Sequence, residues 1–397
     1  MTETAAARAW PWRPAGIAVA CAALAVFPLV FTNPLVTEVG VYTLIFMAAA
    51  TGWNIFSGYS GYISLGHAVF FGSGAYFVGI AAKDWHLSGS IVFALLPVAA
   101  AVAAVIAVPF GLIALRVRRH TFVVITIAIF FIFQLMAFNL SVTNGSAGVL
   151  APNVFWQAAT FNDPFYYVAL AIAALTVGAS WLIRRSRFGL QLLAIRDDED
   201  RARGLGVRAM RVKLVAFVIS AVPLGMAGGL WMYFTGQVLP QYGFDPLLDI
   251  AVALMAFLGG LGTIAGPVLG AVLLEPLQQY LTLQLSVGYL YLIVYGAMFL
   301  IVIMFLPRGV IPTAAERLAL LRARRLDRRA ASADTGGEAP TGGDADADVP
   351  TGGAAQTAGT ASTSGAADTG SGAQTVGDTD TGSDARRGGG AVTGETR

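Results

Sequence analysis

The chain has 397 residues, 56% of them hydrophobic and 12% charged, with a mean hydropathy of +0.68. A soluble domain carries about 25% charged residues, so an ordinary soluble fold is excluded. The net charge of +2 carries no message alone, and the single cysteine, Cys21, lies in an apolar run, which excludes a disulfide framework or a thiolate metal site.

Read in chain order, Arg8 and Arg13 precede the apolar run Ile17–Phe31 in the manner of a signal peptide. No small-residue cleavage site follows Phe31 and another apolar run begins at once, so the run is read as an uncleaved first helix. Hydropathy then predicts segments near 15–32, 37–57, 63–82, 90–115, 121–138, 164–183, 212–234, 247–258, 267–285 and 288–306. The eighth is short, and Gly259-Gly260-Leu261-Gly262 with Gly266-Pro267 separates it from the ninth. By length alone these two are either full crossings or a broken, re-entrant pair.

Charge favours an even count. With the N-terminus (1–14) cytoplasmic, alternate loops hold Arg116, Arg118 and Arg119, then Arg184 through Lys213, then Arg308 onward. The opposite loops hold one basic residue, Lys83. Treating 247–285 as a single crossing would strand Arg308 and the Arg-rich 317–329 stretch outside, against the bias of basic residues to cytoplasmic loops. The expectation is therefore an all-α integral membrane protein of about ten transmembrane segments, some broken or re-entrant, spanning 15–306 with both ends cytoplasmic. A basic juxtamembrane segment (307–330) suits anionic lipid. Beyond it, 331–397 is rich in Thr, Gly, Ala and Asp with almost no large apolar side chains, as expected of a disordered tail.

Catalytic chemistry finds no foothold. A phosphate loop needs Gly-Lys-Ser/Thr, and the only lysines, Lys83 and Lys213, lie in Ala-Lys-Asp and Val-Lys-Leu. His67, His86 and His120 have no metal-ligand spacing, and no nucleophile elbow occurs. Polar groups within the apolar runs are few: Ser64, His67, Asn139, Asp249 and Glu275. Such groups are expensive in a bilayer and often functional. His67 is expected to hydrogen-bond the carbonyl of a broken helix. Glu275, before Pro276, suits an interface or a pathway equally.

The informative loop is 184–213. Leu190, Leu193 and Ala194 fall on one face of a short helix, and Asp197, Asp198, Glu199 and Asp200 suit the N-terminus of a second one, which stops near Gly204–Gly206. Two short amphipathic helices can dock a soluble partner; the plain alternative is a solvated loop that only sets orientation.

Several blocks resemble the permeases of branched-chain amino acid ABC importers. In the loop these are Arg185-Ser186-Arg187-Phe188-Gly189, Ala194-Ile195-Arg196, Asp197-Asp198-Glu199, Leu205-Gly206 and Lys213-Leu214-Val215-Ala216-Phe217. The chain departs from that family at Arg201, where an alanine is usual, while Ala202 keeps the second alanine. Ser57 through Gly72, including Ser64-Leu65-Gly66-His67, is similar to a second signature, and Leu258 through Ala271 to a third. Leu306-Pro307-Arg308-Gly309 resembles the end of the family core, and Thr143 through Gly148 follows another pattern loosely.

The resemblance implies an inner-membrane permease that moves branched-chain amino acids, with ATP bound by partner subunits and no cofactor on this chain. It implies a second homologous permease, two ATPase subunits and an extracytoplasmic binding protein as partners, in the lipid bilayer, with no nucleic acid. ATPase-coupling residues would be Leu193, Ala194, Arg196, Asp197, Asp198, Glu199, Ala202, Leu205 and Gly206. Path or gate residues would be Gly58, Gly61, Ser64, Gly66, His67, Gly72, Gly259, Gly260, Gly262 and Gly266. Gly58, Gly61, Gly66, Gly72 and Gly74 are expected to interrupt helices at membrane depth, although close helix packing is the commoner use of such glycines. Relatives that carry urea, short amides or aromatic acids leave the substrate open, and an ion-coupled secondary transporter is the alternative from another class.

Overall fold

In a computed structural model the protein is described over residues 24–31, 33–117, 119–152 and 160–284, with isolated positions between 293 and 313. Most of the first and last expected segments, the basic stretch 317–329 and the tail 331–397 lie outside the described residues.

The described chain is helical almost throughout. After α1 (24–30) come α2 (Pro34–Trp53), α3 (Ala68–Asp84), α4 (Leu96–Ala114), α5 (Arg119–Asn139), α6 (Asn162–Arg185), α7 (Arg187–Asp197), α8 (Glu199–Gly204), α9 (Ala209–Thr235), α10 (Pro240–Gly243), α11 (Pro246–Gly259) and α12 (Ala265–Gln284). The strands β1 (Val149–Leu150) and β2 (Gln237–Val238) pair antiparallel, with Val149 opposite Val238. Among the described residues six helical segments are long and apolar enough to cross a membrane, so the chain is a multi-pass, all-α membrane protein.

Two segments depart from simple spans. A π-helical turn, Asn54–Gly58, prolongs α2, and the chain from Gly61 to Gly66 is not helical before α3 begins at Ala68. Helix α11 has 14 residues, about 21 Å at 1.5 Å per residue, short of a hydrocarbon core of about 30 Å. The start of α3 lies beside Ser220, near the middle of the 27-residue α9, so its first turn sits at half depth. Together with α10, however, α11 belongs to an apolar helical stretch of 20 residues, Pro240–Gly259, and α12 also has 20 residues.

Helix α9 is the centre of the bundle, and small residues let its neighbours close on it. A Cβ on Gly74 would lie 2.1 Å from Gly225 O, and one on Gly228 would lie 1.9 Å from Phe71 O. One on Gly259 would lie 1.8 Å from Gly266 O, and one on Gly270 the same distance from Met255 O. Lipid offers no hydrophobic drive between helices, so backbone approach of this kind supplies the packing energy. Gly72 and Gly74 do not interrupt a helix as expected. Both lie inside α3, and a Cβ on Gly72 would strike Gly243 O at 2.6 Å.

An aromatic cluster fills the bundle around Phe217. The rings of Phe56, His67, Phe70 and Phe110 lie 4.9, 5.2, 5.3 and 5.3 Å from it, mostly edge to face.

Replacing Gly259 by alanine is expected to force α11 from α12 and to cost about 1–3 kcal/mol by overpacking. Gly178→Ala, where an added Cβ meets nothing within 4 Å, serves as the control. Thermal unfolding of the purified variants checks this: Gly259→Ala should melt earlier and Gly178→Ala should not.

Candidate functional site

One face of the molecule carries α7, α8, the π turn and the connection between α11 and α12. This loop face is built from local caps. Ser186 ends α6 and caps α7, its Oγ accepting from Gly189 N at 3.2 Å. Asp198 caps α8, its Oδ1 accepting from the backbone N–H groups of Asp200 and Arg201, both at 3.0 Å. Gly206, in the left-handed region at φ +87°, turns the chain toward α9.

Helix α7 buries a face within the chain other than the one that the sequence offers to a partner. Leu192 and Ile195 are fully buried, Leu193 and Ala194 are half-buried, and Leu190 is 62% exposed. Ala202 is also buried, whereas Leu205 is 85% exposed and Gly206 is exposed with open space around it. Leu190 and Leu205 are thus two large apolar side chains presented outward. Asp197 is exposed and Asp198 half-buried at its cap.

Glu199 was expected at the rim of a partner surface, yet both of its carboxylate oxygens are engaged within the chain. Lys213 Nζ donates to Oε1 at 2.8 Å, the Arg203 guanidinium donates to the same oxygen, and Tyr62 OH donates to Oε2. Lys213 also lies 4.3 Å above the Tyr62 ring and donates to its hydroxyl at 3.1 Å. Burial raises the Glu199 pKa, but the hydrogen bonds from Lys213 and Tyr62 and the charges of Lys213 and Arg203 outweigh it and hold the carboxyl below its ordinary value. This tie fixes α8 to the foot of α9 and to the stretch that follows the π turn. A cavity of about 440 Å³ opens beside it, with Arg116 and Asp200 among its walls.

Arg196 makes the second tie, from α7 into the membrane domain. Its Nη1 donates to Gly58 O at 2.9 Å, and an added Cβ on Gly262 would lie 2.2 Å from that same nitrogen. Gly61, at φ +72°, passes the Arg196 stem, which leaves no more than 3.0 Å for a Cβ. The guanidinium of Arg184 donates to Gly262 O and lies over the Tyr59 ring. The fully buried Asn54 then bridges the two breaks directly, its Oδ1 accepting from Gly262 N at 2.8 Å and its Nδ2 donating to Thr263 O at 2.9 Å. The structure thus brings together Arg196 and the glycines 58, 61 and 262, which the sequence had assigned to separate roles.

The remaining expected residues hold the backbone of the breaks. Ser64 O accepts from Trp53 Nε1 at 2.8 Å, and a Cβ on Gly66 would strike Thr126 O at 2.7 Å. Gly260 O accepts from Thr263 Oγ1 at 2.7 Å, the same hydroxyl accepts from Gly266 N at 3.0 Å, and Gly309 packs against Gly260.

His67 pairs through Nε2 with Ser220 Oγ at 2.9 Å, not with a helix carbonyl. Asp249 of α11 reaches the first turn of α3, its Oδ1 accepting from Ala68 N at 3.0 Å. Glu275 is 1% exposed and accepts from Gln279 Nε2 at 3.0 Å, so its side chain is buried within the bundle. Asn139 instead is exposed at the end of α5.

Sequence reasoning missed Asn54, Arg184, Tyr62 and Lys213 as parts of the site. A signal existed for two of them: Asn54 is a lone amide inside an apolar run, and Lys213 is one of only two lysines. Among the described residues no group of three or more His, Cys, Asp and Glu could hold a metal ion.

Comparison with known proteins agrees with this architecture. A family model described as branched-chain amino acid transport system / permease component matches residues 35–303. The high-affinity branched-chain amino acid transport system permease protein LivM of Escherichia coli K12 is 27% identical over 312 residues, 71% of either chain. LivH of Salmonella typhimurium is 30% identical over 186 residues, 43% of this chain and 58% of its own. The autoinducer 2 import system permease protein LsrC of Klebsiella pneumoniae is 32% identical over 116 residues, 28% of this chain and 34% of its own. No solved structure matches. With the match covering most of the helical domain, the chain belongs to the family of branched-chain amino acid transport system permease components.

Proposed function

We propose that the chain is one permease subunit of an ATP-driven importer that moves branched-chain amino acids across the plasma membrane. It pairs with a second homologous permease, and two ATPase subunits dock on the loop face, which is cytoplasmic. An extracytoplasmic binding protein delivers substrate to the opposite face. The names of LivM and LivH, permease proteins of branched-chain amino acid transport systems, support the substrate class and the second permease. The crowding of basic residues into the loop face supports its orientation.

The observation that carries the reading is the Arg196 tie. Leu190 and Leu205 present apolar surface to a partner, while Arg196, on the same short helix as Leu190, holds Gly58 O and lies against Gly262. A partner that displaces α7 therefore pulls on both broken segments at once. Rocking those segments is how ATP-driven closure of the ATPases alternates access. Of the residues expected to couple, Leu193, Ala194, Leu205 and Gly206 are available to a partner, Arg196 transmits, and Glu199 and Ala202 fix the loop in place.

Arg196→Ala should leave ATP hydrolysis by the assembled complex largely intact while lowering leucine uptake by about tenfold or more, as expected when a hydrogen bond from a charged group is lost from a mechanical link. Lys83→Glu, far from the loop face, is the control. Parallel measurement of ATP turnover and uptake in proteoliposomes checks this, and equal loss of both activities would count against a coupling role.

Glu199→Lys sets a third cation against Lys213 and Arg203 and should reduce folded yield, whereas Glu199→Gln should fold and lose only part of the stability. Because the folded carboxyl titrates below its ordinary 4.5, its contribution is complete above that value and fades as pH falls through the lower folded value. The wild-type chain should therefore lose more stability than Glu199→Gln on acidification, as a thermal-melt series across pH will report.

Vesicles that contain this chain alone should neither hydrolyse ATP nor accumulate leucine under an ion gradient. Accumulation there would replace the importer with a secondary transporter.

A further inference from the structure

A cavity of about 180 Å³ lies on the other side of half depth from the loop face, between α2, α3, α9, α11 and α12. Its floor is aromatic: Phe46 stacks on Phe71 at 6.5 Å, and Phe71 meets Trp231 at 5.7 Å. Asp245 and Gln278 line it, together with Tyr242 and Trp231. Asp245 caps α11, one carboxylate oxygen accepting from Leu247 N at 2.9 Å. Gln278 Oε1 is buried without a hydrogen-bond partner among the described residues. At the mouth, Tyr242, Leu247 and Ile250 are 53%, 43% and 39% exposed.

Gly72 sets this cavity up, because only a missing Cβ lets Gly243 and Phe244 lie against α3. Gln134 Nε2 holds the same stretch by donating to Phe244 O at 2.6 Å. The chain that enters α11 is thereby drawn into the bundle, and Asp245 comes with it.

We propose that this cavity is the subsite for the ammonium group and apolar side chain of an aliphatic amino acid in transit. The inference rests on the importer reading and deepens it. The volume is many times the ~10–15 Å³ that one water needs and below the ~300–1,000 Å³ of sites for larger ligands. The aromatic floor takes a branched aliphatic chain. Asp245, with the unpaired acceptor of Gln278, takes an ammonium group, since a buried acceptor left unmatched is costly. No Lys, Arg or His is among the described residues that line it, so the site disfavours acidic side chains and directs the ligand carboxylate to the mouth. The exposed mouth is where the second permease would complete the site.

The test uses the assembled transporter in lipid nanodiscs, with Cys21→Ser and Ile250→Cys placing a single thiol at the mouth. L-leucine should slow its reaction with a water-soluble maleimide several-fold. The oxo acid 4-methyl-2-oxopentanoate, which keeps the side chain and carboxylate but lacks the ammonium group, should not. Asp245→Asn, which retains a helix-capping side chain, should abolish the protection and raise the KM for leucine uptake by about tenfold, the scale of one lost charged hydrogen bond. Equal protection by the oxo acid overturns the proposal. So does a thiol that never reacts, because the mouth would then face lipid. Leucine uptake without protection removes the subsite alone, whereas a wild-type complex with no ATP-dependent leucine uptake removes the importer reading and the subsite with it.

Discussion

A backbone that leaves its helix inside a bilayer must find other partners, because each unsatisfied peptide group there costs several kcal/mol. Two segments of this protein do so, the π turn with the Gly61–Gly66 stretch and the connection from α11 to α12. Asn54 spans the two, and Arg196 and Arg184 supply donors to the carbonyls of Gly58 and Gly262. At the half-depth end, Asp249 gives the first N–H groups of α3 an acceptor that no preceding turn provides. The breaks are therefore held by side chains from other elements, so their geometry depends on where those elements sit. Moving α6 or α7 changes what the breaks can pair with.

The rest of the bundle resists such motion. Helices α3, α4, α9, α11 and α12 approach through glycine and alanine at distances where any larger side chain would overlap backbone. Interfaces built this way have few intermediate arrangements, since close packing is lost outright once the surfaces part. The same rigidity makes short helices outside the membrane effective levers. Helix α7 is 11 residues long and capped at its start by Ser186, so a force on its outer side reaches Arg196 with little loss to bending.

The helical segments were legible in the sequence, because a run of apolar residues with few charges has only one stable form in a bilayer. The expected segments 37–57, 90–115 and 212–234 differ by three residues or fewer from the observed helical spans Pro34–Gly58, Gly89–Ala114 and Ala209–Thr235, the usual fraying of helix ends. The late start of α3 was less legible, since Tyr62 to His67 are as compatible with a helix as with the extended path they take. Glycines were the poorest guide. Gly58 and Gly72 belong to one motif, yet the first lies at a break and the second in a helix that admits a neighbouring chain. Sequence shows that a Cβ is missing but not what occupies the space. The buried face of α7 was not legible either: Leu190, Leu192, Leu193 and Ile195 offer apolar faces in several directions, and only the surrounding helices decide which is used.

The loop thus divides its residues by direction, and the division explains how so charged a segment holds a fixed shape. Glu199 sits among Lys213, Arg203 and the Tyr62 hydroxyl. A carboxylate with this many donors is better satisfied inside than it would be in contact with an outside partner. Were Glu199 required to reach outward as well, docking would have to break the tie that keeps α8 on α9. Leu190 and Leu205 face no such conflict, because both are largely exposed, at 62% and 85%. A partner that engages them gains apolar burial without dismantling the ion pairs beneath, and the pull it exerts passes into Arg196 and the two breaks. Assigning the acidic cluster to anchorage and the exposed leucines to contact satisfies both requirements with the residues where they stand.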